Sequence, residues 1–143
     1  MPQVLAVCIS EKKGTVKHPV PEIQLKIDLG IVGDAHSGNW HRQVSLLADE
    51  SVELMRQRFP DIPTGAFAEN ILTQGIVLSK LPIGTKLRVG QVLLQVTQIG
   101  KECHADCAIR RQVGDCVMPR EGIFTKVLEE GSIRPGDEIT IEE

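Results

Sequence analysis

The stretch PIGTKLRVGQVLLQVTQI, residues 82–99, decides the fold class of this chain. Its apolar runs, Leu87–Val89 and Val92–Ile99, are bracketed by the turn sequences Pro82–Thr85 and Val89–Gln91. Short runs rich in β-branched residues between turns that contain Pro or Gly predict strands joined by tight turns. This part of the chain is therefore predicted to be β-structure.

The same pattern continues to the C-terminal end of the sequence. The turn Arg134–Asp137 leads into a predicted strand over Glu138–Ile141. Residues Ile123–Leu128 fit a helix or a strand, and we favour a strand because Gly122 and Gly131 frame them.

The N-terminal half contains further predicted strands and the one convincing long helix. Its strands are predicted from apolar runs or from alternation of apolar and polar residues with a period of two. They are Val4–Ile9, Ile23–Leu29, Val44–Leu47, Ile71–Thr73 and Gly75–Leu78. Asp49 is predicted to cap a helix over Glu50–Arg58, which ends before Pro60.

Length and element order predict a single domain. The 143 residues, 15.7 kDa, match one domain over residues 1–143, without a linker or an internal repeat. Many short strands, frequent turns and one long helix predict a mainly β fold with one or two helices, mixed and barrel-like in form.

Composition argues against several function classes. Lys and Arg number 16 against 19 Asp and Glu, a net charge of -3, and the chain has no Tyr, one Trp and three Phe. Neither this charge nor so few aromatic rings suits a nucleic-acid partner. The apolar run near the start has no preceding basic residue, so we expect no signal peptide, no membrane association and a cytoplasmic location.

The first candidate site is a polar loop over residues 33–47, which glycines frame and which runs into a predicted strand. It concentrates two histidines, including His36, with Arg42 and Ser45. Loops held at the mouth of a rigid sheet are where binding groups are usually placed. The alternative is a solvated turn with Trp40 packed over it as a lid.

The second candidate site is the pair Glu69 and Asn70, which stands between apolar residues of the segment 65–71. A buried carboxylate needs hydrogen bonds or a cation, and Arg42 or His36 is a candidate partner for Glu69. The alternative is a structural network that braces the sheet.

The third candidate site surrounds Cys103, which follows the predicted strand Val92–Ile99. Lys101 and His104 flank Cys103, and neighbouring cations favour the thiolate, the form that acts as a nucleophile and as a ligand for soft metals.

The remaining cysteines carry weaker signals. Cys107 and Cys116 give a spacing that departs from the common zinc pattern, although Cys103 and Cys107 would share one face of a helix. A metal-ligand pair or a redox pair stays open there. Cys8 lies within an apolar strand pattern and is expected to be an inert core residue.

Taken in order, these segments resemble the MOSC family, named for the C-terminal domain of molybdenum cofactor sulfurase. The segments that carry the resemblance are Gly33–His36, Arg42–Leu47, Gly65–Asn70, Val96–Gln98, Cys103 and the closing turn Gly131–Asp137. The chain looks most like the short, stand-alone bacterial type. It departs from the common family pattern at Ala68, where many members have Gly, and at Glu102, where many have Pro.

The resemblance implies a barrel-like β domain similar to the small domain of pyruvate kinase, and a function linked to the molybdenum cofactor. The family's cysteine falls on Cys103, which would carry sulfur as a persulfide or bind molybdenum, with His104 beside it. This implies a sulfurtransferase or a molybdenum-dependent oxidoreductase. The family also carries an association with pyridoxal phosphate. Partner proteins would come from cofactor biosynthesis or from molybdoenzymes.

A molybdopterin, bound permanently or transiently, needs a cation for its phosphate and amide or carboxylate groups for its ring. The resemblance and these residue types together assign cofactor binding to five positions. They are His36, Arg42, Ser45, Glu69 and Asn70. A second group of cations either adds positive potential at the rim or is solvated surface charge. Its members are Lys13, Lys17, Arg110 and Arg111.

Two other function classes stay open. The domain could hold or deliver the cofactor or molybdate without catalysis, in which case binding would survive Cys103→Ser and fail with Arg42→Ala. Alternatively, it could be a zinc-stabilised β domain, which predicts stoichiometric zinc and unfolding on chelation.

Overall fold

The computed structural model describes residues 2–12, 17–35, 37–57, 60–62, 64–65, 67, 69–100 and 122–142. This described part contains short strands, one α-helix and one 3-10 helix. The strands are β1 (Gln3–Ile9), β2 (His18–Val20), β3 (Ile23–Lys26), β4 (Gly30–Ile31), β5 (Val44–Ala48), β6 (Ile71–Gln74), β7 (Lys86–Val89), β8 (Val92–Ile99), β9 (Ile123–Glu129), β10 (Gly131–Ile133) and β11 (Ile139–Glu142). Helix α1 spans Asp49–Arg56, and the 3-10 helix spans Leu78–Lys80.

Eight of the strands form one mixed sheet in the order β11-β7-β8-β9-β5-β6-β1-β2. A smaller sheet has the order β10-β3-β4. The pair β5 and β6 is parallel, and α1 lies between these two strands in the chain. This agrees with the rule that parallel neighbours need a crossover connection, usually a helix.

The large sheet curls until β1, near one edge, meets the chain next to β11 at the other. Gln3 forms a bridge with Glu138, and the Val4 amide donates to the Asp137 carbonyl at 2.9 Å. No continuous ladder joins β1 to β11 within the described residues, so the sheet is barrel-like without being closed. The predicted mainly β, barrel-like fold is confirmed.

The core lies inside this curled sheet. Leu87 and Val89 of β7 and Val92, Leu94 and Val96 of β8 are all buried, as the apolar pattern of residues 82–99 predicts. Burying one such side chain contributes roughly 1.5–3 kcal/mol before the entropy of ordering is subtracted. Residues 123–129 form a strand, as the framing glycines indicate, and pair with β8.

Two predicted strands differ from the structure. The strand predicted over Ile23–Leu29 ends at Lys26, because Asp28 adopts a left-handed conformation with φ 63° and turns the chain into β4. The strand predicted over Gly75–Leu78 is absent, and the chain instead enters the 3-10 helix at Leu78.

The predicted helix is present but begins differently. Asp49 is its first residue, and Ala48 precedes it without a side-chain cap. The Asp49 carboxylate instead pairs with Arg56, the last residue of the helix, at 2.7 Å. In the part of the chain that the structure describes, no helix has the length and apolarity to cross a membrane.

Candidate functional site

The loop that precedes β5 lies across β8 and β9. The His41 carbonyl accepts a hydrogen bond from the Thr97 hydroxyl, and His41 Nε2 lies 2.9 Å from Gln98 Oε1. A β-bulge between Val96 and Gln98 breaks the ladder with β9 at this point. Bulges redirect side chains, and here the bulge brings β8 and the polar loop together.

Arg42 is held between two aromatic rings in this loop. Its guanidinium carbon lies 4.8 Å from the centroid of the Trp40 ring and 5.5 Å from that of Phe124. Cations stack favourably on aromatic faces at such distances. The Arg42 Nε atom is buried without a hydrogen-bond partner among the described residues. Buried donors are nearly always satisfied, so Arg42 Nε is an exception within the described residues, as is Thr73 Oγ1.

The last residue before the cysteine segment is anchored beside this loop. The Gly100 amide donates to the Gly122 carbonyl at 2.7 Å, and Gln98 Nε2 donates to the Gly100 carbonyl at 2.7 Å. Gly100 and Gly122 are the described residues on either side of positions 101–121. The predicted site residues Cys103 and His104 lie outside the described residues, as do Cys107 and Cys116.

Ser45 and Asn70 join three strands. Asn70 Oδ1 accepts from the Ser45 amide at 3.0 Å and from the Ser45 hydroxyl at 3.1 Å. Asn70 Nδ2 donates to the Cys8 carbonyl at 3.0 Å, and the Cys8 amide donates to the Asn70 carbonyl at 2.7 Å. Asn70 thus ties β1 and β5 together at the start of β6.

Glu69 is buried and bonded to backbone amides. Its Oε2 accepts from Gly65 at 3.0 Å, and its Oε1 accepts from Phe67 at 3.1 Å. Burial raises the pKa of Glu69, and the backbone hydrogen bonds oppose that rise. Hydrogen bonds, one of the two options left open by the sequence, thus satisfy Glu69, and Arg42 stacks between the two rings instead. His36, the other candidate partner, lies outside the described residues.

Lys17 differs most from the sequence-based expectation. It is not a solvated surface charge: its Nζ pairs with Asp34 Oδ1 at 2.7 Å, and both side chains are fully buried. Lys17 Nζ also donates to the Ser10 hydroxyl at 3.2 Å. A lysine before a His-Pro pair gives no sequence signal of burial, so this ion pair could not be predicted. Lys13, Arg110 and Arg111 lie outside the described residues.

Cys8 behaves as the sequence suggests. It is fully buried, and burial together with the nearby charge of Glu69 raises the pKa of its thiol to about 12, while Lys17 acts in the opposite sense. A thiol with such a pKa is inert at neutral pH. Within the described ranges, no cluster of three or more His, Cys, Asp or Glu side chains could hold a metal ion.

A curled mixed sheet with one crossover helix and a polar loop across β8 and β9 is the fold of a MOSC domain. The family model of the MOSC domain matches residues 33–140 of the sequence, and the chain therefore belongs to the MOSC family. The family is associated in general with the molybdenum cofactor.

Solved structures share this fold. YuaD from Bacillus subtilis is 19% identical with a TM-score of 0.73, over 97% of this chain and 94% of that one. YiiM from Geobacillus stearothermophilus is 21% identical with a TM-score of 0.77, over 100% and 76%. YiiM from Escherichia coli is 21% identical with a TM-score of 0.71, over 100% and 70%. No curated protein matches the chain.

Proposed function

We propose that this protein acts in molybdenum cofactor chemistry, binding a phosphate-bearing pterin beside β8 and β9 and using Cys103 as its reactive thiol. The observation that carries the proposal is the buried Arg42 Nε, which lacks an acceptor among the described residues and lies between the Trp40 and Phe124 rings. A phosphate oxygen is the kind of acceptor that a planar guanidinium prefers.

The residues around Arg42 fit a molybdopterin. The two rings orient the guanidinium, so little freedom is lost when it meets a phosphate. The Gln98 amide and the exposed His41 ring offer polar groups for a pterin. When bound, the cofactor would supply the metal centre that accepts sulfur or electrons. We add His36 to these pterin-binding groups on the basis of its position in the sequence alone.

Ser45, Glu69 and Asn70 enter the proposal as groups that hold the strand ends under the loop. Their side-chain hydrogen bonds run within the fold: Glu69 and Asn70 accept from backbone amides, and Asn70 donates to the Cys8 carbonyl. Such bonds fix the position of Arg42, which is three residues before Ser45 in the chain. We assign them positioning roles for this reason.

A short stretch of sequence links Cys103 to the proposed pterin site. Cys103 is three residues beyond Gly100, and three residues span at most about 11 Å. Gly100 is itself bonded to Gln98, which contacts His41. Lys101 and His104 would favour the Cys103 thiolate.

Two roles for Cys103 follow. As a sulfur carrier, its thiolate attacks the outer sulfur of a donor persulfide, the donor S–S bond breaks, and the donor leaves as a thiolate while Cys103 becomes a persulfide. The Cys107 thiolate could then attack the inner sulfur of that persulfide, which forms a Cys103–Cys107 disulfide and releases hydrosulfide. Alternatively, Cys103 is a permanent molybdenum ligand in an oxidoreductase.

One observation favours a second candidate, a module that binds or delivers the cofactor or molybdate without catalysis. The unsatisfied donor belongs to Arg42, which lies outside the cysteine segment. Binding at Arg42 therefore does not require Cys103. Its partners would be proteins of cofactor biosynthesis or molybdoenzymes.

The test is the metal and pterin content of protein purified anaerobically from a host that makes the molybdenum cofactor. Molybdenum, tungsten and zinc are measured by elemental analysis, and pterin by fluorescence after oxidation. The variants are Arg42→Met, Cys103→Ser and Arg134→Met, the last a matched control at an arginine whose side chain is 63% exposed.

We expect pterin in the wild-type protein and in Arg134→Met, and at least a tenfold loss in Arg42→Met. Molybdenum that is lost in Cys103→Ser while pterin stays would assign Cys103 as a metal ligand. Pterin and molybdenum that both survive Cys103→Ser would favour the carrier or delivery role. Stoichiometric zinc without pterin in any form would contradict the proposal.

A further inference from the structure

The buried pair Lys17 and Asp34 lies where separate segments of the chain meet. Lys17 Nζ reaches Asp34 Oδ1 at 2.7 Å, and the Ser10 amide donates to the same oxygen at 3.1 Å. Ser10 directly follows β1, and Lys17 directly precedes β2. The ion pair therefore joins both ends of the connection between β1 and β2 to the loop that contains Asp34.

Backbone hydrogen bonds extend this junction to both candidate loops. The Ala35 amide donates to the Ser10 carbonyl at 2.8 Å, one residue before His36 in the chain. The Lys17 amide donates to the Gly65 carbonyl at 2.9 Å, and a side chain at position 65 would collide with the Lys17 carbonyl. Lys17 thus contacts one loop with its ammonium group and the other with its backbone.

Stability alone does not explain a pair with no exposure. Moving two charges out of water carries a large desolvation penalty, which their attraction repays only in part. Replacing such pairs with uncharged residues of similar size is often neutral or stabilising. The ion pairs of Arg88 and Arg134, by contrast, lie at the surface. In some proteins a buried polar or ionic group fixes one arrangement of the chain, and we apply that explanation to this pair.

We propose that Lys17 and Asp34 are positioning residues that hold the backbone at Ala35, Gly65 and Phe67 in the arrangement needed for ligand binding. The pair touches no ligand itself. It fixes the Ala35 backbone, to which His36 is covalently joined, and it supports the turn that Glu69 closes onto Gly65 and Phe67. The claim that the pair is needed for ligand binding rests on the proposed function, whereas the claim that it holds the loop backbone does not.

The test compares Lys17→Met, Asp34→Asn and the double variant Lys17→Met/Asp34→Asn. Each single variant removes one charge of the buried ion pair and keeps the other, so we expect Tm to fall by roughly 10 °C. The double variant buries no charge, and the amide oxygen it introduces at position 34 can still accept from the Ser10 amide, so we expect most of the Tm to return. Arg88→Met removes a surface cation outside both loops and is the matched control.

Amide hydrogen exchange then separates positioning from stability. In the double variant we expect at least tenfold faster exchange at Ala35, Ser37, Gly65 and Phe67, with unchanged exchange in β8 and β9. Wild-type protection of these four amides would overturn the inference. If the double variant does not fold, Asp34→Asn decides the question, since it removes the ion pair while its amide oxygen still accepts from the Ser10 amide, and wild-type loop exchange in that variant also contradicts positioning.

Pterin content gives the ligand readout. We expect the double variant to retain at least tenfold less pterin than the wild-type protein, despite its recovered Tm. Full retention would overturn the inference and leave the proposed function intact. Absence of pterin from the wild-type protein would instead contradict the proposed function, and hydrogen exchange would still decide whether the pair positions the loops.

Discussion

Two polar regions of this molecule differ in how their polar groups are satisfied. In the first, around Lys17, Asp34 and Asn70, the side chains are almost wholly buried and bond to one another or to the backbone. In the second, around Trp40 and Arg42, the side chains are half-exposed and a buried donor lacks an acceptor among the described residues.

This difference predicts which substitutions lower stability and which lower ligand binding. Where two buried groups bond to each other, removing one leaves the other unsatisfied and lowers the free energy of unfolding. Substitutions there are therefore expected to act on folding. A buried donor without an internal partner contributes nothing favourable to folding, and an acceptor that a ligand brought to it would satisfy it. Substitutions that remove one partner of a bonded pair in the first region should therefore lower stability, and those in the second region should change binding with little effect on stability.

The largest effect is expected at Asn70. Asn70→Ala removes the acceptor for the Ser45 amide and hydroxyl and the donor to the Cys8 carbonyl, all in buried surroundings. Each buried group left unsatisfied costs about 1–3 kcal/mol, so we expect the free energy of unfolding to fall by roughly 3–5 kcal/mol. Urea denaturation measures this, with the exposed Asn39→Ala as control. A loss below about 1 kcal/mol would show that the first region is not a folding element.

A smaller effect is expected at Gly65. Both Gly65 and Gly84 have positive φ, 91° and 98°, so an alanine at either site meets a backbone strain of about 1–2 kcal/mol. A side chain at position 65 also meets the Lys17 carbonyl, whereas nothing lies near position 84. Gly65→Ala should therefore lose roughly 1–3 kcal/mol more than Gly84→Ala in urea denaturation. Equal losses would contradict the close packing of the loop on Lys17.

The comparison also separates what the sequence can predict from what it cannot. Strands such as β8 follow from apolar periodicity and turn residues, because burial inside a sheet has a local sequence signature. The strand predicted over residues 23–29 is too long, because the alternation continues through Asp28 even though that residue turns the chain. Local patterns report which face is apolar, and they do not report where a backbone bends.

The candidate loops are recognisable from their polar residues, whereas their contacts are not. Nothing near Lys17 in the sequence indicates that its charge is buried against Asp34, since the partners are 17 residues apart. Likewise, the sequence left open whether hydrogen bonds or a cation satisfy Glu69; backbone amides of its own turn do so, and Arg42 contacts Trp40 and Phe124. Such pairings depend on tertiary placement and not on local spacing.

Glu69 gives a prediction of pH dependence within the first region. Its pKa is raised in the folded protein, chiefly by burial, so folding favours the protonated form. The stability that Glu69 contributes is therefore fully present below its usual pKa near 4.5 and is lost as pH rises through the raised folded pKa. We expect the wild-type protein to gain stability relative to Glu69→Gln as pH falls from about 7 toward its usual pKa, in urea denaturation. The exposed Glu138→Gln controls for the substitution, and a difference independent of pH would contradict the raised pKa.

The smallest effect on stability, and the sharpest test of the comparison, is expected at Arg42. Lysine keeps the positive charge but loses the planar group that stacks between Trp40 and Phe124. Because each exposed cation–π contact contributes only about 0.5–1 kcal/mol, Arg42→Lys should change the free energy of unfolding by less than roughly 1 kcal/mol. Pterin retention should nevertheless fall at least tenfold, since a lysine cannot replace the oriented, two-pronged donor that a phosphate prefers. A large loss of stability with normal pterin retention would reverse the assignment of the two regions, because Arg42 would then belong to the fold and the unsatisfied donor would not mark a ligand site.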